Sequence, residues 1–343
     1  MKAAVITEYG GLDKVNFAEV DKPKPGAGEV LVQVKSAALN HLDIWVSKGR
    51  PGAKKDGPHI LGSDASGVVA EVGAGVKGIS AGGEVIINPG LSCGRCEHCR
   101  RGEQSECTSF DIVGLGHQGA FAKFVVVPAA NVFSKPKHLD FNEAAALPLA
   151  YVTAWRMLMT RAGLKPGQTV LIHGIGGGVA IAALQLVKMA GAVTIVTSSS
   201  EEKLNKAQKL GADHIINYKT KDVASIVRDV TAGRGVDIAF DTVGAATMPT
   251  NFDVVRRGGK IVICGVTTGP KVELNLQALY WNQLSILGST MGSDDDFLKM
   301  LSAIDASKLK PVIDSVFPLA KVRAAMAKME SGAQFGKIVL KIG

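Results

Sequence analysis

The sequence has few cysteines and few aromatic residues, with 5 Cys and 5% Phe, Trp and Tyr among its 343 residues. Five cysteines are too few for a disulfide-stapled secreted fold of this length. No run reaches the roughly 18 apolar residues of a membrane-spanning helix, and the N-terminal MKAAVITEYGG lacks the regions of a signal peptide. The basic residues form no block of five or more, which argues against nucleic-acid binding. These absences predict a cytoplasmic protein that binds neither a membrane nor nucleic acid.

The composition favours a large folded protein. Hydrophobic residues make up 46% of the chain, which excludes disorder, and the 40 glycines follow no period, which excludes collagen. A chain of this length fits two domains, each able to bury its own core. The net charge of +8 could attract an anionic ligand, or it could simply reflect a mixed solvated surface.

The first third of the chain is rich in predicted strands that are separated by Gly and Pro turns. They lie at Lys2–Thr7, Glu29–Leu39, Gly67–Val72, Glu84–Asn88 and Phe121–Val127. This spacing predicts a compact antiparallel, barrel-like domain. Asp140 and Glu143 then form a capping box that predicts one helix through EAAALPLAYVTAWRMLM.

The second region alternates short apolar strands with amphipathic helices, which is typical of a doubly wound parallel sheet. Its six predicted strands are Thr169–His173, Val193–Thr197, His214–Asn217, Val236–Asp241, Lys260–Cys264 and Ser285–Ser289. Six strands is the number in a dinucleotide-binding Rossmann sheet. One helix, Glu201–Leu210, has Ser200 as its predicted N-cap and Gly211 just after its end. The C-terminal segment predicts a helix ended by Gly332 and a strand that returns to the first domain.

A glycine loop joins the first of these strands to a helix. Gly174, Gly177 and Ala180 are three residues apart, as a tight turn, a bare backbone next to pyrophosphate and close helix–sheet packing require. The free N–H groups at the start of the helix then face the phosphates. Because the loop follows a strand and opens a helix, the pattern predicts a dinucleotide site.

The end of the next strand favours NADP(H) over NAD(H). An NAD site places an acidic residue there for the ribose 2′-hydroxyl, whereas this strand ends Val196-Thr197-Ser198-Ser199-Ser200. Lys203 follows one turn into the helix, and a cation with hydroxyl groups suits a 2′-phosphate. Alternatively, Ser200 is only the helix cap and Lys203 only a surface charge.

Four of the five cysteines lie close together in the sequence. Cys93, Cys96, Cys99 and Cys107 have the spacing C-x2-C-x2-C-x7-C, which can enclose a tetrahedral Zn2+ without leaving a position for water. This predicts one structural zinc per chain, although the spacing alone does not exclude an iron–sulfur cluster. Cys264 is predicted to be a small buried hydrophobe.

Together these motifs resemble the medium-chain dehydrogenase/reductase superfamily over the entire chain. The cysteine lobe, at about residues 90–110, resembles zinc-type alcohol dehydrogenases, whereas HGIGGGVA, TSSSEEK and GADHIINY are more similar to NADPH-dependent quinone oxidoreductases. The resemblance implies an α/β fold, with a GroES-like β-rich catalytic domain at 1–150 and 292–343 and a Rossmann domain at 151–291. It also implies a homodimer that pairs the strand near Ser285–Ser289.

The resemblance also implies a set of cofactor-binding residues. They are His41, Thr153, Gly174, Gly176, Gly177, Gly178, Val179, Ser199, Lys203, Tyr218, Val243, Gly265, Val266, Gly288 and Ser289. Within this set, Tyr218 joins Ser199 and Lys203 around the 2′-phosphate, and His41 reaches the pyrophosphate.

The three ligands of a catalytic zinc, as the resemblance aligns them, are missing. Asn40 stands where a cysteine would be, Ser63 replaces a histidine and Leu149 replaces a second cysteine. An amide and a hydroxyl are weak ligands for Zn2+. His41 and His59 are nearby in the sequence and could in principle substitute. The alignment therefore predicts a reductase without a catalytic zinc.

Without that metal, nothing lowers the pKa of an ordinary alcohol enough for its oxidation. Quinones and α,β-unsaturated carbonyls, including enoyl thioesters, accept hydride more readily, so the sequence predicts their reduction by NADPH. The candidate pocket residues are Asn40 as a donor, Asp64 as a water-orienting or proton-relay group, Trp45 as an apolar wall and Thr153 near the nicotinamide. Each also has a purely structural interpretation.

Two other functions remain open from the sequence. One is an alcohol dehydrogenase with an atypical catalytic metal site. The other is a non-enzymatic NADPH-binding protein, such as a sensor or a crystallin-like protein, that keeps the fold.

Overall fold

The computed structural model describes residues 1–49 and 57–342. Within them the strands β1 to β18 are Lys2–Ile6, Val15–Glu19, Glu29–Ala38, His59–Ile60, Asp64–Val72, Glu84–Ile87, Gly90–Leu91, Asp111–Ile112, Phe124–Pro128, Val132–Ser134, Thr169–Ile172, Val193–Ser198, His214–Asn217, Val236–Asp241, Val255–Ile263, Ser285–Gly288, Ile313–Pro318 and Lys337–Lys341. The α-helices α1 to α11 are His41–Lys48, Glu97–Arg100, Phe141–Ala145, Pro148–Trp155, Gly178–Met189, Glu201–Lys209, Val223–Val230, Met248–Val254, Leu276–Trp281, Asp294–Ser307 and Val322–Glu330.

The chain divides into two compact units. The first unit contains Met1–Val152 and Gly292–Gly343, and the second contains Thr153–Met291. The predicted domain boundaries lie at 150/151 and 291/292, and the predicted first domain includes residues 50–56, which are outside the described part. No helix in the described part is long and apolar enough to cross a bilayer.

The described part of the first unit contains three sheets. Their strand orders are β2-β1-β4, β10-β6-β5-β3-β18-β17 with β9 also paired to β3, and β7-β8. Strand β3 lies in the middle of the larger sheet and is mostly buried along its ten residues. The predicted return of the C-terminal strand is confirmed, because β18 pairs antiparallel with β3. An antiparallel domain was predicted, but the larger sheet is not wholly antiparallel, because β17 pairs parallel with β18.

The helix predicted from Asp140 begins as expected but does not continue. The Asp140 carboxylate accepts the Glu143 N–H, and the reciprocal capping bond is also present. The helix then ends at Ala145, and α4 starts afresh at Pro148, whose ring fits a first helical turn but not a helix interior. Beyond Trp155 the backbone forms a π-helix over Arg156–Arg161. The prediction of one continuous helix was therefore wrong.

The second unit is a six-stranded sheet with the order β13-β12-β11-β14-β15-β16, and every pair of strands is parallel. The order reverses between β11 and β14, which is where doubly wound sheets bind ligands at the carboxyl ends of the strands. Ser200 caps α6 as predicted, because its hydroxyl accepts the Lys203 N–H. Gly211 follows the helix with φ +95°, a conformation that favours glycine.

Candidate active site, cofactor loop and metal centre

The four clustered cysteines meet in one small lobe of the first unit. Their sulfur atoms all lie within 4.8 Å of one another. Cys96 Sγ is 3.5 Å from Cys99 Sγ, and Cys93 Sγ is 4.0 Å from Cys99 Sγ. A tetrahedron with Zn–S bonds of about 2.3 Å separates its sulfurs by about 3.8 Å. The cysteines therefore fit one tetrahedral ion such as Zn2+, whereas a cluster of several irons would hold them further apart.

Backbone groups prepare these sulfurs to bind a cation. The N–H groups of Cys96 and Ser109 donate to the sulfurs of Cys93 and Cys107 at 3.4 and 3.3 Å. The Cys99 N–H, with smaller effects from its neighbours, lowers the pKa of Cys96 to about 6. Thiolates are the metal-binding form, so these donors favour the ligating state of Cys96, whereas burial raises the pKa of Cys99 to about 11.

The predicted glycine loop has the backbone that a phosphate cradle requires. Gly174 and Gly176 have φ of +66° and +130°, and α5 begins at Gly178 after an extended Gly177. A Cβ placed on Gly177 would meet nothing within 4 Å, so the loop is open at its centre. The N-terminus of this 12-residue helix thus has room for the diphosphate of a dinucleotide.

A buried polar network in the second unit supports the loops around this cradle. His173 Nε2 contacts Asn251 Oδ1 at 2.8 Å, and Asn251 Nδ2 donates to Asp241 Oδ2 at 2.6 Å. Asp241 Oδ1 accepts the N–H groups of Val243 and Gly244, which shapes the loop after β14. Sequence reasoning missed His173 and Asn251. The only signal was a histidine directly after an apolar strand, whereas Asn251 lies inside α8.

The residues predicted for a 2′-phosphate lie at the ends of β12 and β13. The side chain of Lys203 lies over the glycine loop, because a Cβ on Gly176 would come within 2.9 Å of Lys203 Cδ. Tyr218 is half-exposed, and its N–H donates to the carbonyl of Ser198. The nearest acidic residue along the chain, Glu201, accepts a 2.5 Å hydrogen bond from Asn217 Nδ2.

Where a catalytic zinc would be expected, the first unit has a buried lysine. Lys337, on β18, donates to Leu39 O at 2.7 Å, Asn40 Oδ1 at 2.6 Å and Asp64 Oδ2 at 3.0 Å. Asn40 Nδ2 also donates to Asp64 Oδ2, at 2.9 Å. The other Asp64 oxygen accepts the N–H of Leu149. Asp64 is fully buried and Lys337 is 3% exposed, so this ion pair is shielded from water.

Asp43 and Ser63 are two further buried polar residues of the first unit. Asp43 Oδ2 accepts the Asn40 N–H at 2.7 Å, while Asp43 Oδ1 and Ser63 Oγ have no hydrogen-bond partner among the described residues. Burial raises the pKa of Asp43 to about 7, and the charge of Asp64 also raises it, whereas Lys337 lowers it. Asp43 is therefore a carboxyl group poised to change charge near neutral pH.

This donor set does not fit a catalytic zinc. Asn40 offers an amide whose oxygen is already bound to an ammonium, Ser63 offers a hydroxyl, and Leu149 offers no side-chain donor. His41 and His59 do not supply a substitute, because the four cysteines are the only group of three or more His, Cys, Asp or Glu ligands that meet in the described residues. His59 is buried, and its Nε2 contacts Gly114 O.

The other predicted residues divide between the two units. In the first, His41 and Trp45 lie exposed on α1, with ring centroids 6.4 Å apart. In the second, the buried Thr153 hydroxyl contacts Met291 Sδ at 3.9 Å, and the Gly288 carbonyl accepts from Arg161 Nε. The proton-relay role of Asp64 stays a prediction, because both of its oxygens are bound to protein groups.

Comparisons with known proteins agree over the full length of the chain. A family model described as "Alcohol dehydrogenase GroES-like domain" matches residues 26–137, and one described as "Zinc-binding dehydrogenase" matches 178–306. A zinc-type alcohol dehydrogenase-like protein of Schizosaccharomyces pombe is 35% identical and covers 100% of this chain and 99% of its own length. A crotonyl-CoA carboxylase/reductase of Cereibacter sphaeroides is 35% identical over 90% of this chain and 79% of its own. The crystal structure of an NAD-dependent alcohol dehydrogenase superposes with a TM-score of 0.95 at 44% identity, covering all of both chains.

Proposed function

The chain belongs to the medium-chain dehydrogenase/reductase superfamily, and on that premise we propose that it reduces quinones or α,β-unsaturated carbonyl compounds with NADPH, without a catalytic zinc. Enoyl thioesters are a subclass of these acceptors, and the similarity to a crotonyl-CoA carboxylase/reductase supports their inclusion in the substrate panel.

The observation that carries this proposal is the Lys337–Asp64–Asn40 cluster. A divalent ion at this position would have to displace a buried ammonium from the two side-chain oxygens that could ligate it. It would also gain only weak ligands, because the remaining positions are a hydroxyl and an alkyl group. Substrates that are already electrophilic fit such a site, since they need no metal to activate them.

The side chains at the end of β12 favour NADPH over NADH. Ser199 and Ser200 offer hydroxyl groups there, Lys203 offers a cation beside the glycine loop, and Glu201 is held by Asn217. A 2′-phosphate is favoured by such a cation and disfavoured by a free carboxylate at the strand end. The name of the structural relative at 44% identity points to NAD instead, so cofactor choice needs a direct test.

When bound, NADPH would supply a hydride to the electrophilic carbon of the acceptor and would itself be oxidised to NADP+. The negative charge would then move to the acceptor oxygen, and the resulting enolate or quinolate oxygen would take a proton from water. Asn40 keeps one Nδ2–H beyond its bond to Asp64, and we assign that group to the acceptor oxygen. Trp45 provides an exposed apolar ring for a flat acceptor, and Thr153 is assigned to the nicotinamide side.

We further propose a cytoplasmic homodimer. Strand β16 is an edge of the six-stranded sheet, and edge strands offer unpaired N–H and C=O groups to a second copy. Helix α9, which precedes β16, exposes Leu276, Tyr280 and Trp281 to between 65% and 66%. A cluster of exposed apolar side chains beside a free edge is typical of a subunit interface.

The test is an NADPH-oxidation screen over quinones, enones, enoyl thioesters, aldehydes and alcohols, with zinc counted on the same sample. We expect turnover of quinones or enones and about one zinc per chain. Two zinc ions per chain with alcohol oxidation would replace the proposal by an alcohol dehydrogenase. NADPH binding without turnover of any acceptor would favour a non-enzymatic binding protein.

A further inference from the structure

Lys337 is a buried cation for which sequence reasoning assigned no role. Its three ammonium hydrogens have three acceptors, Leu39 O, Asn40 Oδ1 and Asp64 Oδ2, at 2.6–3.0 Å. A buried ammonium is costly to desolvate even when it is paired, and an apolar side chain of the same size is often no less stable at such a position. Stability alone therefore does not account for this lysine.

The ammonium helps to determine which way the Asn40 amide points, together with the Asp43 N–H that the Asn40 side chain accepts in the capping box of α1. A lysine ammonium can only donate hydrogen bonds, so the group facing it at 2.6 Å must be the amide oxygen. Asn40 Nδ2 then lies against Asp64 Oδ2, which can only accept while ionised. Flipping the amide would place its NH2 group, a donor, against the ammonium and its oxygen, an acceptor, against the carboxylate. Neither pair could then form a hydrogen bond. One Nδ2–H of Asn40 remains for a further acceptor.

We propose that Lys337 is a positioning residue that, with Asp64, locks Asn40 as an N–H donor toward the acceptor oxygen. The inference rests on the proposed reduction of a carbonyl or quinone. A preoriented donor needs no reorganisation when negative charge develops on that oxygen, and this is the largest effect a single polar group usually supplies. The ammonium also adds a fixed positive charge at the oxygen end of the amide.

The central test compares Lys337→Met with Lys341→Met, which removes an exposed lysine from the same strand. We expect Lys337→Met to lower kcat on the best acceptor by about 100-fold, as loss of an oriented donor does, with unchanged affinity for NADPH. Lys341→Met keeps the wild-type kcat. Lys337→Arg, which retains a cationic donor, recovers part of the loss.

Because Lys337→Met leaves Asp64 unpaired and buried, the variant can also lose stability. The double variant Lys337→Met/Asp64→Asn removes both charges and serves as the stability control. We expect it to restore the unfolding midpoint but not kcat. Recovery of wild-type kcat in this double variant would overturn the proposal, because the lysine would then be only structural.

A double-mutant cycle with Asn40→Asp separates action through Asn40 from a direct effect. Asp at position 40 keeps an acceptor for Lys337 but has no N–H to offer. If Lys337 acts through Asn40, the two losses in kcat are far from additive. Fully additive losses would refute the proposal. Failure of wild-type protein to reduce any quinone or enone would instead refute the proposed function, so the two failures are distinguishable.

Discussion

The pH dependence of folding stability should report on Asp43. Burial raises its pKa from 3.8 to about 7 in the folded protein, and the backbone N–H of Asn40 and the charge of Lys337 offset only part of that rise. In the unfolded chain the carboxyl group returns to its ordinary pKa. This rise in the pKa of Asp43 corresponds to at most about 4 kcal/mol between its two protonation states.

The direction follows from proton counting. Between pH 3.8 and about 7 the folded state holds the Asp43 proton and the unfolded state has released it. The unfolded state therefore binds fewer protons, and the free energy of unfolding falls as the pH rises through this window. Above pH 7 both states are ionised, and the loss stays constant. From pH 5 to pH 8, Asp43 alone should remove about 2 to 3 kcal/mol of stability.

The variant Asp43→Asn keeps an oxygen for the Asn40 N–H but cannot ionise. We measure its free energy of unfolding by urea titration at pH 5 and at pH 8. We expect the decrease between the two pH values to be about 2 to 3 kcal/mol smaller than in wild type. Asp21→Asn, at an exposed position, is the control and should keep the wild-type pH dependence. Equal pH dependence in wild type and Asp43→Asn would refute the reasoning, because it would mean that Asp43 is ionised in the fold at little cost.

Three further predictions concern the cofactor, the metal and the subunit interface. Lys203→Ala should weaken NADPH binding by about 10- to 100-fold and leave NADH binding nearly unchanged, whereas Lys206→Ala on the same helix should change neither dissociation constant measured by fluorescence titration. Cys107→Ser should reduce the zinc content toward zero per chain and lower the thermal midpoint, while Cys264→Ser keeps its zinc; equal zinc in both would contradict the tetrahedral site. Trp281→Glu should convert a dimer to a monomer in light scattering, whereas Leu298→Glu, at another exposed apolar position, should not.

Local chemistry made much of this fold predictable from the sequence. The capping box at Asp140, the cap at Ser200 and the cysteine spacing each depend on residues within about fifteen positions of one another. Glycine spacing after a strand likewise predicted the loop at Gly174, whose φ of +66° favours glycine. Hydrophobic periodicity then supplied the order of strands and helices in the second unit.

What escaped prediction depends on distant contacts or on competing local signals. Pro148 interrupts a helix pattern that apolar periodicity alone reads as continuous, and the ring decided the outcome. Strand β17, Ile313–Pro318, was missed because its residues alternate in burial only weakly, and its parallel pairing with β18 follows from the tertiary fold. Lys337 is 273 positions from Asp64, so no local pattern could join them.

Asp43, Asp64 and Lys337 form one cluster of buried ionisable groups in the first unit. Asp64 and Asp43 are two carboxyl groups, and the Lys337 ammonium lies within hydrogen-bond distance of Asp64. With both acids ionised the cluster carries an unbalanced negative charge in a dry interior, which is costly, and protonation of Asp43 removes it. Removing Lys337 should therefore raise the pKa of Asp43 further, since the lysine charge holds it down. In wild type, the free energy of unfolding falls with pH until Asp43 is ionised in the folded state. In the Lys337→Met variant, we expect this fall to continue to a higher pH. If both proteins reach the plateau at the same pH, the two groups are not electrostatically coupled.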